Sequence, residues 1–354
     1  MKDSRAAYSA LEERISSAIA GADPAVFEEL AIEVYRFQRR FNEPYDQYCR
    51  SLKAPETPAD WREIPALPQA AFKHAALRTF PDADEAAAFR TSGTTGEGYG
   101  VHHFRSLRLY DEAIHRGWDL LNLPSLPQVI LIAQPAAAPH SSLSHMVGVL
   151  KSRAASGKQH WCIDSQGALD TARLTSALED YRRAAQPVLL LGTALAFLHW
   201  FELGDPIELP AGSLAFETGG YKGSGRALFK AALYDFFQRH LGLAPESIIN
   251  EYGMTELSSQ CYARGLDQPH AAPPWVRAIA VNPATGREVP DGETGLLRIF
   301  DPANLGSVLA IQTRDLAIRR GSHFTLLGRD PSALPRGCSR AADELLTENL
   351  PQSA

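Results

Sequence analysis

The sequence predicts an α/β fold that begins with helices and ends with a β-rich portion, on three observations. Between about residues 100 and 260, apolar strand-like runs alternate with helix-like segments, the pattern of a largely buried sheet joined by helical crossovers. Ahead of this region, apolar residues recur at three- and four-residue spacing, as on one face of a helix. Past about residue 275, short strand-like runs are separated by turn-rich pieces. With 354 residues, one large domain with a small appendage, or two domains, is expected.

Taken in order, residues 1–80 form a helical N-terminal portion. ALEERISSAIA and AVFEELAIEVYRFQRRF carry the helical spacing, and ETPADWREIPALPQAAFK after them is too broken by proline for one regular element. Residues 81–270 form the α/β core. Its strands are QVILIA, HWCID, PVLLLGT, SLAFET and SIINEYG. Its helices are SLRLYDEAIHRGWDLL, LDTARLTSALEDYRRA, TALAFLHWFE and GRALFKAALYDFFQRHLG. Residues 271–330 form a β-rich portion of the same domain: WVRAIAV, GLLRIFD, SVLAIQT and HFTLLG, with turns such as NPATGREVPDGETG between them. Residues 331–354 are expected to be a mobile tail with one short helix, AADELLTE.

Composition narrows the function. A net charge of −6 gives no basic face for nucleic acid or an anionic membrane. The four cysteines, at 49, 162, 261 and 338, have no metal-ligand or disulfide-framework spacing. The N-terminus carries charge and no apolar signal region. No run approaches the ~20 apolar residues of a membrane span, so a cytoplasmic protein is expected.

Four short stretches carry chemistry. TSGTTG, residues 91–96, sets bare backbone amides and hydroxyls ahead of the strand-like VHHF, on a strand–loop–strand turn. Such a loop suits phosphate oxygens, and a flexible surface loop is the alternative. It is not a P-loop, because residues 93–100 contain no lysine. SIINEYGMTELSSQCY, residues 247–262, brings Tyr252 to a strand end, where its ring can stack on a purine. Thr255 and Glu256 beyond it can meet phosphate and a divalent cation. FETGGYKG, residues 216–223, runs a strand into paired glycines against which a flat base can lie. IQTRDLAIRRGSHFTLLGRD places Asp315 at the expected end of a strand, where a carboxylate can accept from two ribose hydroxyls, and Arg329 further on.

In this order the four stretches resemble the adenylate-forming superfamily of acyl-CoA synthetases and peptide-synthetase adenylation domains. TSGTTG is similar to that family's phosphate loop, YGMTE to its adenine-and-magnesium motif, TRD to its ribose motif and GRD to its hinge. FETGGYKG, SQCY, WREIPALPQAAFK and PRGCS further resemble the LuxE-type acyl-protein synthetases, over about residues 30–340. The resemblance implies the large N-terminal domain of that fold, sheets flanked by helices plus a distorted β-barrel. Only 25 residues follow Arg329 and no lysine follows Lys230. The family's usual full C-terminal domain, with its lysine for the adenylation transition state, is therefore expected to be lacking. Removing one such donor costs about 3–4 kcal/mol, and Lys222 or Arg226 is the candidate substitute.

The implied activity is ATP-dependent conversion of a carboxylic acid, expected to be a fatty acid, to acyl-AMP, followed by transfer to a cysteine as a thioester. Thr91, Ser92, Gly93, Thr94, Thr95 and Gly96 would grip the phosphate tail, and Glu256 would hold Mg2+ beside Thr255. Gly219, Gly220, Tyr221, Tyr252, Gly253 and Met254 would enclose adenine, Asp315 would hold the ribose, and Arg329 would lie at the hinge. His145 falls where relatives carry a residue beside the acyl carboxylate, a half-buried helix histidine being the alternative. The acceptor the resemblance implies is Cys338, flanked by Arg336 and Arg340, which favour its thiolate; a buried packing cysteine is the alternative. The other cysteines lie in element-like runs and read as packing. The expected partner is an acyl-accepting reductase or carrier protein. Two competing functions are an adenylating enzyme that activates an aryl or natural-product carboxylate for a separate acceptor and a catalytically weak nucleotide-binding module.

Overall fold

The computed structural model describes residues 2–91, 99–164, 166–219 and 230–330. They divide into two compact units. The first takes in residues up to Arg116, Met254–Ser259 and those from Ala271 onward; the second is Gly117–Gly253 with Gln260–His270.

In the first unit, α1 (Lys2–Gly21), α2 (Phe27–Phe41) and α3 (Glu43–Ser51) follow one another. α2 buries Phe27, Leu30, Ala31, Val34, Tyr35, Phe37 and Gln38, a stripe at three- and four-residue spacing. Glu28 and Glu29 in its first turn and Arg39 and Arg40 in its last complement the helix dipole. Asn42 ends it in extended conformation and caps α3, its Oδ1 accepting from Tyr45 N–H at 3.3 Å. The proline-broken stretch resolves into short 3-10 turns around β1 (Leu67–Pro68). Trp61 packs edge-on to Phe27 and Phe300, with ring centroids at 5.3 and 4.9 Å. β2 (Ala87–Arg90) and β3 (Val101–Phe104) pair antiparallel, Arg90 opposite Val101, as the strand–loop–strand reading expects. α4 (Arg108–Leu120) follows.

The second unit alternates as the sequence predicts: β4 (Gln128–Leu131), α5 (Ser142–Val149), β5 (Gln159–Trp161), α6 (Thr171–Arg183), β6 (Leu189–Thr193), α7 (Ala194–Leu203), β7 (Leu214–Thr218), α8 (Lys230–Leu241) and β8 (Ile248–Tyr252). The five strands are parallel in the order β5-β4-β6-β7-β8, and β9 (Cys261–Arg264) returns antiparallel to β8, with β10 (His270–Ala271) beside it. Every residue of β4 and β7 is buried, which accounts for their continuous apolar runs. On one face, Val129, Leu190, Ala215 and Ile248 meet Leu178, Phe197, Trp200 and Phe237 from α6, α7 and α8 in a single cluster.

The remaining strands, β11 (Arg277–Val281), β12 (Thr294–Phe300), β13 (Ala310–Arg320) and β14 (His323–Arg329), form an antiparallel meander in the first unit, and β1 lies parallel to the start of β13. Asp315, expected at a strand end, instead lies in the middle of β13. The residues after Thr313-Arg314-Asp315 continue Leu-Ala-Ile without a turn former until Gly321, whose φ of 61° closes the hairpin. β14 bulges: Ala317 faces Leu326 and Leu316 faces Gly328, which leaves Leu327 unpaired and 51% exposed. Gly328, at φ 117°, supplies the backbone turn this requires.

Candidate functional site

In the first unit the hairpin β2–β3 brackets residues 92–98, and its neck is closed by the backbone. Thr91 N–H donates to Gly100 O at 2.9 Å, and Gly100 N–H donates to the Thr91 hydroxyl at 2.9 Å. Thr255 stands against both stems of this hairpin. Its hydroxyl donates to Arg90 O at 3.4 Å, and its carbonyl accepts from His102 Nδ1 at 2.8 Å. Glu256 is buried, and its carbonyl accepts from Asn304 Nδ2 at 2.9 Å.

The rest of this segment is pinned by one carboxylate. Asp301 accepts from the Ser258 and Ser259 amides at 3.1 and 2.7 Å, the Ser259 hydroxyl at 2.9 Å and the Ala303 amide at 3.1 Å. Burial pushes Asp301 up to about 6, while these donors pull it down, so at pH 7 it is ionised. Trp275 Nε1–H donates to Ser259 Oγ at 2.9 Å. From α2, Gln38 donates to Asn304 O at 2.9 Å and accepts from Leu309 N–H at 2.9 Å. The Thr255–Glu256 backbone thus sits beside a buried polar frame, with Thr255 itself half-buried.

In the second unit the carboxyl ends of β7 and β8 carry polar side chains on opposite faces, at the edge of a parallel sheet where ligands of α/β folds bind. On one face the Thr218 hydroxyl donates to Glu251 Oε2. Burial pushes Glu251 up to about 7. A Cβ on Gly253 would run into the Glu251 carboxylate, which would have to move to admit a larger residue. On the other face Asn250 Nδ2 donates to Glu217 Oε1 at 2.7 Å. Its Oδ1 accepts from Lys230 Nζ at 3.1 Å and from His270 Nε2 at 2.8 Å. Burial raises Glu217 to about 7 against the pull of Lys230. Burial also lowers the Lys230 ammonium against the pull of Glu217. Tyr252 is buried, its ring edge-on to His270 at 6.1 Å.

Sequence reasoning missed Glu217, Asn250, His102 and Asp301. The available signal for the first two was a charged or amide residue inside an otherwise apolar strand, in LAFET and IINEY. Of the predicted residues, Asp315 and Arg329 come together: they face each other across β13 and β14, with Arg329 Nε donating to Asp315 Oδ1 at 3.3 Å. Gly219 follows β7 with φ 77°, Met254 opens the segment that contains Thr255, and His145 lies half-buried in α5. Ser92, Gly93, Thr94, Thr95, Gly96, Gly220, Tyr221, Lys222, Arg226 and Cys338 lie outside the described residues. Cys49, Cys162 and Cys261 are buried, as packing cysteines are expected to be. Among the described residues no three His, Cys, Asp or Glu side chains cluster as a metal site, and no helix is long and apolar enough to cross a membrane.

A family model described as acyl-protein synthetase, LuxE, matches residues 21–347. The chain is 21% identical to a long-chain-fatty-acid–luciferin-component ligase of Vibrio harveyi, over 88% of this chain and 86% of that one. Its fold is similar to that of 2-hydroxyisobutyryl-CoA ligase in complex with 2-HIB-AMP and CoA, with a TM-score of 0.61 and 13% identity over 86% of this chain and 74% of that one. It is also similar to ATP-bound MatB from Rhodopseudomonas palustris, with a TM-score of 0.53 and 17% identity over 71% of this chain. That match spans 49% of the MatB chain, so the shared fold covers about half of the longer enzyme.

Proposed function

The chain belongs to the LuxE acyl-protein synthetase family, and from that premise we propose that it activates a long-chain fatty acid with ATP and carries the acyl group on Cys338. It is an enzyme, a ligase of the adenylate-forming fold. The observation that carries the reading is Thr255 joined to both stems of the hairpin around TSGTTG. A residue of one motif is bonded there to the strands that flank another some 160 residues away, which supports a single site for one polyphosphate. The Vibrio harveyi relative, named for a long-chain fatty acid, supports the choice of acid.

In the first step a carboxylate oxygen attacks the α-phosphorus of ATP, the α–β phosphoanhydride bond breaks, and pyrophosphate leaves with its electron pair. Both reactants are anions, so the enzyme's work is neutralisation and alignment. The hydroxyls and amides of residues 91–96 hold the β- and γ-phosphates, and Thr255 meets the α-phosphate. Tyr252, Gly253 and Met254 with Gly219, Gly220 and Tyr221 enclose adenine, Asp315 holds the ribose, and Arg329 marks the hinge. His145 lies beside the acyl carboxylate, and Lys222 supplies the cation of the transition state. One carboxylate suits Mg2+, which takes one or two protein carboxylates and completes its shell with phosphates and water; Glu256 would hold it, and it would offset the charge of the phosphate oxygens.

In the second step the Cys338 thiolate attacks the acyl carbonyl carbon and AMP leaves. Burial pushes the Cys49 and Cys162 thiols up to about 11, which makes them poor nucleophiles and supports Cys338 as the carrier. An acyl-accepting reductase or carrier protein then takes the acyl group. The test is the intact mass of the protein after incubation with ATP, Mg2+ and fatty acids of several lengths. The expected result is one added acyl group, released by neutral hydroxylamine and missing in Cys338→Ser. Pyrophosphate release with an unmodified mass would overturn the carrier step and leave an adenylate donor. The absence of both signals would overturn the reading as a whole.

A further inference from the structure

His102 is fully buried and uses both ring nitrogens. Nδ1 faces the Thr255 carbonyl at 2.8 Å, a group that only accepts, so Nδ1 carries the hydrogen. Nε2, at 2.8 Å from Ser307 Oγ, then accepts from that hydroxyl. Ser307 is itself held, its carbonyl accepting from Asn42 Nδ2 at 3.0 Å. The ring is fixed between Phe104, centroids 4.1 Å apart, and Phe72, 5.6 Å away and edge-on. Burial lowers its pKa to about 4, so one neutral tautomer persists across the working pH range.

The position of this residue gives the arrangement its purpose. His102 is the second residue of β3, opposite Phe89 and one step beyond the Arg90–Val101 pair that closes the stems. The Thr255 hydroxyl holds the other stem at Arg90. Thr255 is thus tied to each strand that leads into the glycine-rich loop, and the bond from β3 is the shorter.

We propose that His102 is a positioning residue for adenylation, which fixes the spacing between the β2–β3 stems and the Thr255 that meets the α-phosphate. The proposal rests on the adenylating reading of the site. The imidazole acts through the Thr255 backbone and does not itself touch substrate. Misplacing a reacting group by about 1 Å costs on the order of 100-fold, which sets the scale of the effect.

The test uses the full chain with His102→Leu, His102→Asn and, as a destabilised control away from this network, Phe27→Leu. Two properties are read: carboxylate-dependent ATP–pyrophosphate exchange and amide hydrogen exchange of residues 254–259. Asparagine retains a donor near the position of Nδ1, whereas leucine has none. The expected result is a loss of kcat/KM for ATP of about tenfold or more in His102→Leu, with protection of residues 254–259 lost in parallel. His102→Asn recovers most of both, and Phe27→Leu lowers the melting temperature while keeping both. Activity that follows melting temperature alike in all three variants would overturn the proposal. So would unchanged protection of residues 254–259 in His102→Leu or, if the leucine variant fails to fold, a folded His102→Asn that loses exchange while keeping that protection. A wild-type chain without pyrophosphate exchange overturns the adenylating reading, a result separate from the hydrogen-exchange one.

Discussion

At the residue scale, Glu251 is a side chain whose chemistry is strongly altered by its place. Water is excluded around it, the Thr218 hydroxyl is its partner, and it lies against the Gly253 backbone. Its folded pKa of about 7 lies above the ordinary carboxyl value of 4.5, so between these values the folded chain binds a proton that the unfolded chain releases. The stability this contributes is fully present below pH 4.5 and is lost as pH rises through 7. At about 1.4 kcal/mol per unit, the amount is of order 3 kcal/mol. Glu251→Gln keeps the shape and the acceptor and carries no charge to desolvate. Denaturant titrations at pH 5 and pH 8 check the outcome: little change from wild type at pH 5, and a gain of about 1–3 kcal/mol at pH 8.

At the element scale, the segment Met254–Ser259 has no helix or strand of its own and takes its shape from neighbours. Asp301 receives two of its amides and Asn304 one of its carbonyls. Asp301→Ala leaves three amides without an acceptor, at a cost of about 3 kcal/mol or more, and urea unfolding measures it. The bulge in β14 supports a different prediction. Deleting Leu327 preserves the pairing of Leu326 with Ala317 and lets Gly328 and Arg329 keep their partners Leu316 and Asp315. The shortened chain is expected to fold with stability within about 1 kcal/mol of wild type, as thermal melts will read. The local twist that aims Arg329 is lost with the bulge, so carboxylate-dependent pyrophosphate exchange falls. A deletion that leaves exchange intact would show that the bulge has no part in the activity.

At the scale of the whole molecule, the parallel strands were legible because burial on both faces leaves unbroken apolar runs, and α2 because its apolar spacing is regular. Asp315 was misread because Thr-Arg-Asp has the polarity of a turn, whereas the strand continues through Leu316 and Ile318. The motifs TSGTTG and YGMTE stood out through their composition. The frame that holds the second did not, because His102, Asp301 and Asn304 belong to stretches with no pattern of their own and act only through distant partners. Gln38 reaches a carbonyl 266 residues ahead of it, and Asn42 one 265 residues ahead. The first unit is assembled from three separate stretches of chain, whereas the second is complete at His270. During synthesis, then, α2 emerges long before the stretch between β12 and β13 that holds the partners of Gln38 and Asn42, while the parallel sheet has all its strands before that stretch appears. The order in which the protein is made is close to the reverse of the order in which its two halves can be finished.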